Sequence, residues 1–326
     1  MPNNRPVRQV AIIGTGVIGA SWASLFLAKG LDVIATDIAP DAETSLRRFV
    51  KAAWPALERL GLAPGASQSR LTFTADLPAA VRAGDFVQEN GPERIDFKKK
   101  LYRQLDELLP ADVIIASSSS GLTMSEVQSD CRLHPERCVI GHPFNPPHLV
   151  PLVEIVGGTK TSEATIERAA EFYTALGKQT VRLRKEVPGH VANRLQAALA
   201  REVYYLVADN VVSVADVDKA LCWGPGLRWG IMGQVLLNHL GGGQGGIEHF
   251  FDQFTKPMTA WWMVLGSPEL TPEIQRKLID GLHEEVGSRS IPELEAQRDE
   301  ILLGLLELRR KHEGPSVTSE KAARAS

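Results

Sequence analysis

Early in the chain stands Val10-Ala-Ile-Ile-Gly14-Thr-Gly16-Val-Ile-Gly19-Ala-Ser-Trp22, the stretch that decides the fold. It places the spacing Gly-x-Gly-x-x-Gly directly after an apolar strand and at the start of an apolar helix. Gly14 permits a tight turn, Gly16 lets the backbone approach a pyrophosphate, and Gly19 allows close contact between helix and sheet. Because the helix N-terminus then faces the phosphate charge, the stretch predicts a dinucleotide-binding unit. The predicted cofactor-binding residues of this loop are Gly14, Thr15, Gly16, Val17, Ile18 and Gly19.

An acidic residue follows the next predicted strand. Val33–Thr36 ends at Asp37, eighteen residues beyond Gly19, where a carboxylate can accept hydrogen bonds from ribose hydroxyls. The alternative interpretation makes Asp37 a cap for the helix that starts near Pro40. Neither of the two residues after Asp37 is an arginine that could bind a 2′-phosphate, so the sequence favours NAD over NADP.

Residues 8 to about 187 alternate short apolar runs with segments of helical period, which predicts an α/β fold with a doubly wound, mostly parallel sheet. The predicted strands are Val10–Ile13, Val33–Thr36, Phe86–Glu89, Val113–Ala116, Val139–Gly141, Leu152–Val156 and Val181–Leu183. The predicted helices between them include Ile18–Ala28, Thr44–Leu60, Phe97–Leu109 and Glu163–Leu176.

From Val191 onward the sequence has long helical segments and few β-branched runs. They include Val191–Val207, Val214–Leu221 and Leu294–Arg310. We therefore expect a Rossmann-type NAD-binding domain over residues 1–187 and an all-helical domain for substrate binding and dimerisation over residues 188–312. The polar residues 313–326 lack periodicity and predict a disordered tail.

The overall composition is that of an ordinary globular protein. The 326 residues are 44% hydrophobic with a net charge of -3, so neither nucleic acid nor a membrane is an expected partner. No apolar run reaches the roughly 18 residues that span a bilayer, and no signal-peptide core is found, so we expect a cytoplasmic protein. Three cysteines without paired spacing predict reduced thiols, and no metal site is expected.

A histidine and a glutamate twelve residues apart carry the strongest chemical signal. His142 ends one apolar strand and Glu154 lies inside the next, so the two side chains can meet across a sheet. Such a glutamate is costly to bury without a partner, and the imidazole is the nearest candidate. The pair is either a structural ion pair or a general base with an orienting carboxylate.

Several motifs together resemble the 3-hydroxyacyl-CoA dehydrogenase family over nearly the whole chain. Besides the glycine loop they are Ser117-Ser-Ser-Ser-Gly-Leu122, Gly141-His-Pro-Phe-Asn-Pro146, Pro151-Leu-Val-Glu154 and Val187-Pro-Gly-His-Val-Ala-Asn193-Arg. The resemblance favours the catalytic interpretation of the pair. It implies that His142 is the base, that Glu154 orients it, and that Ser120 and Asn193 contact the substrate.

The same resemblance implies further residues around the cofactor and an oligomeric state. Glu93 and Lys98 are expected near the nicotinamide ribose, and Ser118 and Asn145 near the nicotinamide. A homodimer formed through the helical domain is also implied.

The chain departs from the acyl-CoA members at two motifs and in the length of its second domain. It has Ser118-Ser-Ser-Gly-Leu122 where those members usually have Asn-Thr-Ser-Ser-Leu, and His142-Pro-Phe-Asn-Pro146 where they have His-Phe-Phe-Asn-Pro. In these features it looks closer to the carnitine 3-dehydrogenases and L-gulonate 3-dehydrogenases, which act on small polar 3-hydroxy acids. Four stretches look most similar to the carnitine branch: 224–232, 241–242, 249–254 and 289–299.

Carnitine requires a site for a trimethylammonium and a site for a carboxylate. Aromatic ring faces can hold a cation that donates no hydrogen bonds, and arginines pair with carboxylates. The candidates are Trp229, Phe250 and Phe254 for the cation and Arg194 and Arg228 for the carboxylate. The alternative places the rings in the core or a dimer interface and the arginines in solvent.

Other functions stay open at this point. A CoA thioester is one alternative substrate, since four basic residues on the second predicted helix could bind its phosphates; L-gulonate is another. A non-enzymatic NAD-binding sensor or structural protein is a third possibility, although it would not need Ser120, His142, Glu154 and Asn193 together. Three other histidines, His148, His190 and His249, lack metal-ligand spacing with one another and are expected to be exposed or locally satisfied.

Overall fold

The computed structural model describes residues 6–313. Contacts divide the chain into two compact units, with the division between Asn193 and Arg194. The first unit contains one eight-stranded sheet, whose strands are β1 Gln9–Ile13, β2 Asp32–Thr36, β3 Leu71–Phe73, β4 Phe86–Glu89, β5 Ile114–Ser117, β6 Cys138–Pro143, β7 Leu152–Gly157 and β8 Gln179–Arg182. Its helices are α1 Val17–Ala28, α2 Ala42–Leu60, α3 Leu77–Ala83, α4 Ile95–Leu108, α5 Met124–Val127 and α6 Glu163–Ala175.

The strand order is β3-β2-β1-β4-β5-β6-β7-β8. All neighbouring strands are parallel except β6 and β7, which are antiparallel. The order reverses between β1 and β4, and in such sheets ligands bind at the carboxyl ends of the strands at this reversal. The predicted α/β class with a doubly wound, mostly parallel sheet is confirmed.

Helices cover both faces of the sheet. On one face, Trp22 of α1, Tyr173 of α6 and Ile12 of β1 belong to one buried hydrophobic cluster. On the other face, Tyr102 of α4 belongs to a second buried cluster together with Ala11. Ala11 precedes Ile12 in β1 and points to the opposite face, because side chains of a strand alternate between its faces. Burial on both faces explains why these strands read as continuous apolar runs.

The second unit is helical, as predicted. Its helices are α7 Ala192–Ala208, which begins just before the division, α8 Val214–Trp223, α9 Pro225–Trp229, α10 Gln234–Gly241, α11 Gly246–Trp262, α12 Pro272–Val286 and α13 Ile291–Glu313. Within residues 6–313, no helix is long and apolar enough to cross a membrane.

Some elements have no counterpart in the sequence prediction. β3 has three residues and α3 has seven, which is too short for hydrophobic periodicity to appear. In the second unit α9 to α12 are not among the predicted segments, although its helical character is. Of the predicted disordered tail, Glu313 ends α13, and residues 314–326 lie outside the described residues.

Candidate active site

The glycine loop between β1 and α1 is closed against the protein at two positions and open at the third. Gly14 has a φ of +82°, and a Cβ there would lie 2.8 Å from the Asn90 carbonyl oxygen. A Cβ at Gly19 would lie 1.9 Å from the Gly14 carbonyl oxygen. At Gly16, by contrast, no described atom would lie within 4 Å of an added Cβ. A pyrophosphate can therefore approach the backbone at Gly16.

The start of α1 is suited to binding an anion. Among the described residues no side chain caps this helix, so its first N–H groups remain available to phosphate oxygens. Val17 is 59% exposed at the helix start, and Ile18 packs against the sheet. These residues fit the pyrophosphate of a bound NAD.

Asp37 is held against the glycine loop. Its Oδ2 accepts hydrogen bonds from the backbone N–H of Thr15 at 2.7 Å and from its hydroxyl at 3.0 Å, and Oδ1 accepts from Ala39 N–H at 3.0 Å. Burial raises the pKa of Asp37, but these hydrogen bonds lower it by more, so the carboxylate is ionised. The alternative that Asp37 caps the next helix is wrong, because α2 begins at Ala42 and its N-cap residue is Asp41. The carboxylate remains suited to the adenosine ribose, and the exposed Ile38 beside it offers no charge to a 2′-phosphate.

The hydroxyl of Ser118, directly after β5, already makes all the hydrogen bonds that it can. It accepts hydrogen bonds from Trp22 Nε1 at 3.1 Å and Gln88 Nε2 at 2.9 Å, and donates one to Asn90 Oδ1 at 2.7 Å. A serine hydroxyl has one donor and two acceptor sites, and all three are used. The predicted contact with the nicotinamide can therefore come from the Ser118 backbone but not from its hydroxyl.

Glu93 shapes the loop that carries Ser120. Its Oε1 accepts hydrogen bonds from the Ser119 hydroxyl at 2.7 Å and from the backbone N–H groups of Ser120 at 2.9 Å and Gly121 at 2.8 Å. Burial raises the pKa of Glu93, but these bonds and the charge of Lys98 lower it by more. The side chain is still 40% exposed, so Oε2 can accept from a ribose hydroxyl.

Lys98, which is predicted to lie near the nicotinamide ribose, is buried. Its side chain is 1% exposed, and its ammonium lies 2.9 Å and 2.8 Å from the two carboxylate oxygens of the buried Glu89. Glu93 Oε2 is 3.9 Å away. In the structure Lys98 forms a buried ion pair with Glu89, and its predicted place near the nicotinamide ribose stays a prediction. The sequence gives no sign of this pair, because it forms only when α4 packs on β4.

His142 and Glu154 meet across the sheet as the sequence predicts. They are directly paired in the register of β6 and β7, with His142 Nδ1 2.8 Å from Glu154 Oε2. Both side chains are buried. A carboxylate only accepts, so Nδ1 carries the proton and Nε2 is left as an acceptor.

The second oxygen of Glu154 is bound as well. Oε1 accepts the backbone N–H groups of Val191 at 2.8 Å and Ala192 at 3.0 Å. Burial raises the pKa of Glu154, but the hydrogen bonds from His142 and from these two amides lower it by more. The carboxylate beside the imidazole is therefore ionised at neutral pH.

Asn193 follows Val191 and Ala192 and contacts the loop of residues 118–122 after β5, which carries Ser120 and is called the serine loop below. Its Nδ2 donates to the Ser120 carbonyl oxygen at 3.0 Å, while the Ser120 side chain is exposed. The Asn193–Ser120 hydrogen bond and the His142–Glu154 pair are thus connected through the backbone of residues 191–193, since the N–H groups of Val191 and Ala192 bind Glu154.

The loop of residues 144–151 between β6 and β7 carries Asn145, which is exposed. Two buried side chains fasten this loop. His148 Nδ1 lies 2.7 Å from the Ser21 hydroxyl of α1, and Lys178 donates to two carbonyl oxygens of the loop while its ammonium lies 5.0 Å from the Trp22 ring centroid. His148 is therefore buried and bonded to a distant residue, contrary to expectation. The nicotinamide contact predicted for Asn145 stays a prediction.

Sequence reasoning also missed His190. It is 1% exposed, its Nε2 lies 3.0 Å from the Ser119 carbonyl oxygen, and its ring centroid is 5.2 Å from that of His142. The expectation of an exposed or locally satisfied histidine is wrong here. The preceding Pro188-Gly189 was the available signal, because it predicts a turn that can direct the next side chain inward.

The substrate residues predicted for the second unit lie on three of its helices. Arg194 is exposed on α7, and Arg228 and Trp229 are exposed on α9, where Trp229 Nε1 donates to Gln234 at 2.6 Å. Phe250 and Phe254 of α11 stack with ring centroids 4.9 Å apart. Their contacts with substrate stay predictions.

Two family models match the chain. That of the 3-hydroxyacyl-CoA dehydrogenase NAD-binding domain matches residues 9–187, and that of the C-terminal domain of the same family matches residues 189–281.

Similar proteins cover nearly the whole chain. The L-carnitine dehydrogenase of Streptomyces griseus subsp. griseus is 49% identical over 92% of this chain and 89% of its own, and that of Pseudomonas putida is 49% identical over 94% and 95%. A similar solved structure is 5-formyl-3-hydroxy-2-methylpyridine 4-carboxylic acid 5-dehydrogenase, an NAD+-dependent dismutase. It has a TM-score of 0.79 and 30% identity, with coverage of 95% of this chain and 99% of that chain. The protein thus belongs to the 3-hydroxyacyl-CoA dehydrogenase family, and its first domain binds NAD.

Proposed function

We propose that this protein is an NAD-dependent L-carnitine dehydrogenase, which oxidises the 3-hydroxyl group of L-carnitine to give 3-dehydrocarnitine. The observation that carries the substrate is the 49% identity to two L-carnitine dehydrogenases over more than nine-tenths of the chain. The buried His142–Glu154 pair supports the reaction, because it supplies a base beside the cofactor-binding half of the sheet.

Oxidation of a secondary alcohol requires a group that takes the hydroxyl proton. With its Nδ1–H bound to Glu154, His142 presents an unprotonated Nε2 that can accept it. Glu154 holds the imidazole in this tautomer and stabilises the imidazolium that forms. A positioned general base typically contributes about 10²–10⁴ in rate. When bound, NAD would supply the acceptor for the hydride that leaves the carbon atom bearing this hydroxyl group.

Two further groups can stabilise the developing alkoxide. The Ser120 hydroxyl is exposed, and because its hydrogen bond to Glu93 Oε1 is long, at 3.5 Å, it can turn and donate to the alkoxide instead. Asn193 uses one N–H on the Ser120 carbonyl, which leaves its second N–H and its Oδ1 for the substrate. Such donors act most strongly where charge develops in the transition state.

An initial-rate panel tests the substrate. The purified protein is assayed with NAD and L-carnitine, D-carnitine, L-gulonate or 3-hydroxybutyryl-CoA, and NADH formation is followed. We expect the highest kcat/KM with L-carnitine. No turnover of L-carnitine above background, together with oxidation of D-carnitine, L-gulonate or 3-hydroxybutyryl-CoA, would replace L-carnitine by that compound as the substrate.

We also propose that the protein is a homodimer formed through the second unit. Among its described residues, the buried hydrophobic side chains are Val207, Val217 and Leu303. Large apolar side chains at least half exposed are far more numerous; they include Leu195, Trp223, Leu227, Val235, Leu240, Trp261, Trp262, Met263, Val264, Ile291 and Ile301. So much exposed apolar surface is characteristic of an interface between subunits.

Sedimentation velocity tests the dimer. We expect a species of twice the 35.6 kDa chain mass at micromolar concentration. A monomer at all concentrations would contradict this proposal and leave the substrate assignment untouched.

We propose the cytoplasm as the compartment. The protein uses NAD, and Cys222 is an exposed free thiol, a state that persists in a reducing environment. Immunoblotting of cytoplasmic and membrane fractions tests this placement, and recovery outside the cytoplasm would contradict it.

A further inference from the structure

The four consecutive residues 190–193 bind both halves of the candidate active site. At the two ends, the side chains of His190 and Asn193 donate to the carbonyl oxygens of Ser119 and Ser120, each at 3.0 Å. In the middle, the two backbone N–H groups donate to Glu154 at 2.8 Å and 3.0 Å. This segment therefore sets the distance between the serine loop and the His142–Glu154 pair.

His190 occupies an unusual position in this segment. Its φ is +49°, directly after Gly189 at +75°, a left-handed conformation that residues other than glycine seldom adopt. His190 is nevertheless buried, with only 1% of its surface exposed. A strained backbone at a buried side chain indicates that the side chain contributes something specific.

The hydrogen bond of His190 fixes its tautomer. The Ser119 carbonyl oxygen can only accept, so Nε2 carries the proton and donates. Nδ1 then has a lone pair and, among the described residues, no hydrogen-bond partner. A second proton would be buried beside the His142 ring at a centroid distance of 5.2 Å. Burial lowers the pKa of His190; the Ser119 carbonyl opposes this, and nearby His142 lowers the pKa again. His190 is thus a neutral donor and not a second base.

We propose that His190 is a positioning residue for the reaction. By holding the Ser119 carbonyl, it places the next residue, Ser120, so that its hydroxyl and His142 Nε2 address the same substrate oxygen. This inference rests on the proposed dehydrogenase function and adds a residue to its site.

Two variants separate the hydrogen bond from the volume of the side chain. His190→Phe keeps an aromatic ring and loses the donor, and His190→Gln keeps an N–H donor at a similar distance from the backbone. We expect His190→Phe to lower kcat by about tenfold or more, as expected for a lost hydrogen bond in the site, with KM for NAD changed by less than about twofold. His190→Gln should recover most of the lost kcat.

A double-mutant cycle with Ser120→Ala tests the route of the effect. If His190 acts through Ser120, His190→Phe should cost about tenfold in the wild-type background and less than about twofold in Ser120→Ala. Equal losses in both backgrounds, an unchanged kcat in His190→Phe, or no recovery with Gln would each overturn the proposal. His134→Gln, a change at a histidine that pairs with Glu136 near the surface, is the control and should retain full activity.

Folding and substrate identity are controlled separately. Thermal unfolding and NAD binding by fluorescence quenching report whether each variant is folded. If His190→Phe is not, His190→Asn replaces it, since asparagine tolerates a positive φ but is too short to reach the Ser119 carbonyl. All assays use the 3-hydroxy acid that the wild type oxidises, so a wrong substrate assignment would appear in the wild type and a wrong role for His190 only in the variants.

Discussion

Glu154 lies directly opposite His142 in the one antiparallel strand pair of the described sheet, and its Oε2 is 2.8 Å from the imidazole Nδ1. Residues opposite each other in an antiparallel pair have their Cβ atoms about 5 Å apart, which suits a direct hydrogen bond. Because Oε1 is held by two backbone N–H groups, the carboxylate cannot rotate away. The strand register thereby fixes which nitrogen of His142 is free to act as a base.

Glu154→Gln should reduce kcat by about 10²–10⁴, because a positioned general base contributes about that much and a neutral partner no longer holds the histidine in the active tautomer. Glutamine keeps the size of the side chain, but its amide can present N–H to Nδ1 and so favours the wrong tautomer. KM for NAD should stay within about twofold of the wild type. Steady-state kinetics provide the measurement, and Glu136→Gln, near the surface, is the control. Unchanged kcat would remove Glu154 from the mechanism.

Asp37→Ser should weaken NAD binding by about 10–100-fold, since a charged hydrogen-bond acceptor for the ribose is lost. The wild type should prefer NAD to NADP, because the ionised carboxylate repels a 2′-phosphate, and the variant should lose most of that preference. Titration of protein fluorescence with each cofactor measures both effects. A wild type that binds NADP as tightly as NAD would contradict the role given to Asp37.

Lys178 predicts a pH dependence of stability. Burial, and to a smaller degree the charge of Lys29, lowers its pKa from 10.5 to about 7. Between about pH 7 and 10.5 the unfolded chain holds a proton that the folded protein has released, so this group makes the free energy of unfolding rise with pH, by at most about 1.4 kcal/mol per pH unit. Below about pH 7 both states are protonated and its contribution is constant.

Lys178→Met should remove this rise. Urea denaturation at pH 6.5, 7.5, 8.5 and 9.5 gives the free energy of unfolding for the variant and the wild type. Lys100→Met, at an exposed position on α4, should keep the wild-type slope. A parallel pH dependence of wild type and Lys178→Met would show that Lys178 does not titrate in this window.

A neutral analogue tests the recognition of the trimethylammonium group. In 3-hydroxy-5,5-dimethylhexanoate a tert-butyl group replaces that cation with almost the same shape. If aromatic rings bind the charge, kcat/KM should fall by about tenfold or more, since each cation–π contact contributes roughly 0.5–2 kcal/mol. Equal kcat/KM for the two compounds would indicate that the pocket recognises shape alone.

The amino-acid sequence determined the features that depend on local geometry. The glycine spacing and the alternation of strands with helices specified the Rossmann-type domain, because turn conformation and hydrophobic period are properties of short segments. The position of His142 and Glu154 in successive predicted strands was enough to bring them together. Short elements such as β3 and α3 were not predicted from the sequence, because a hydrophobic period cannot be recognised in so few residues.

The tertiary structure alone decided which polar groups are consumed inside the protein and which face a ligand. Lys98 is paired with Glu89, the Ser118 hydroxyl makes all its hydrogen bonds within the protein, and His190 is hydrogen-bonded to the Ser119 carbonyl. These partners lie 9, 28 and 71 residues apart in sequence and become neighbours only when strands, helices and loops pack together. Burial favours such pairings, because an unpaired polar group inside a protein is costly. The sequence thus determined where chemistry can occur, and the packing decided which side chains remain free to perform it.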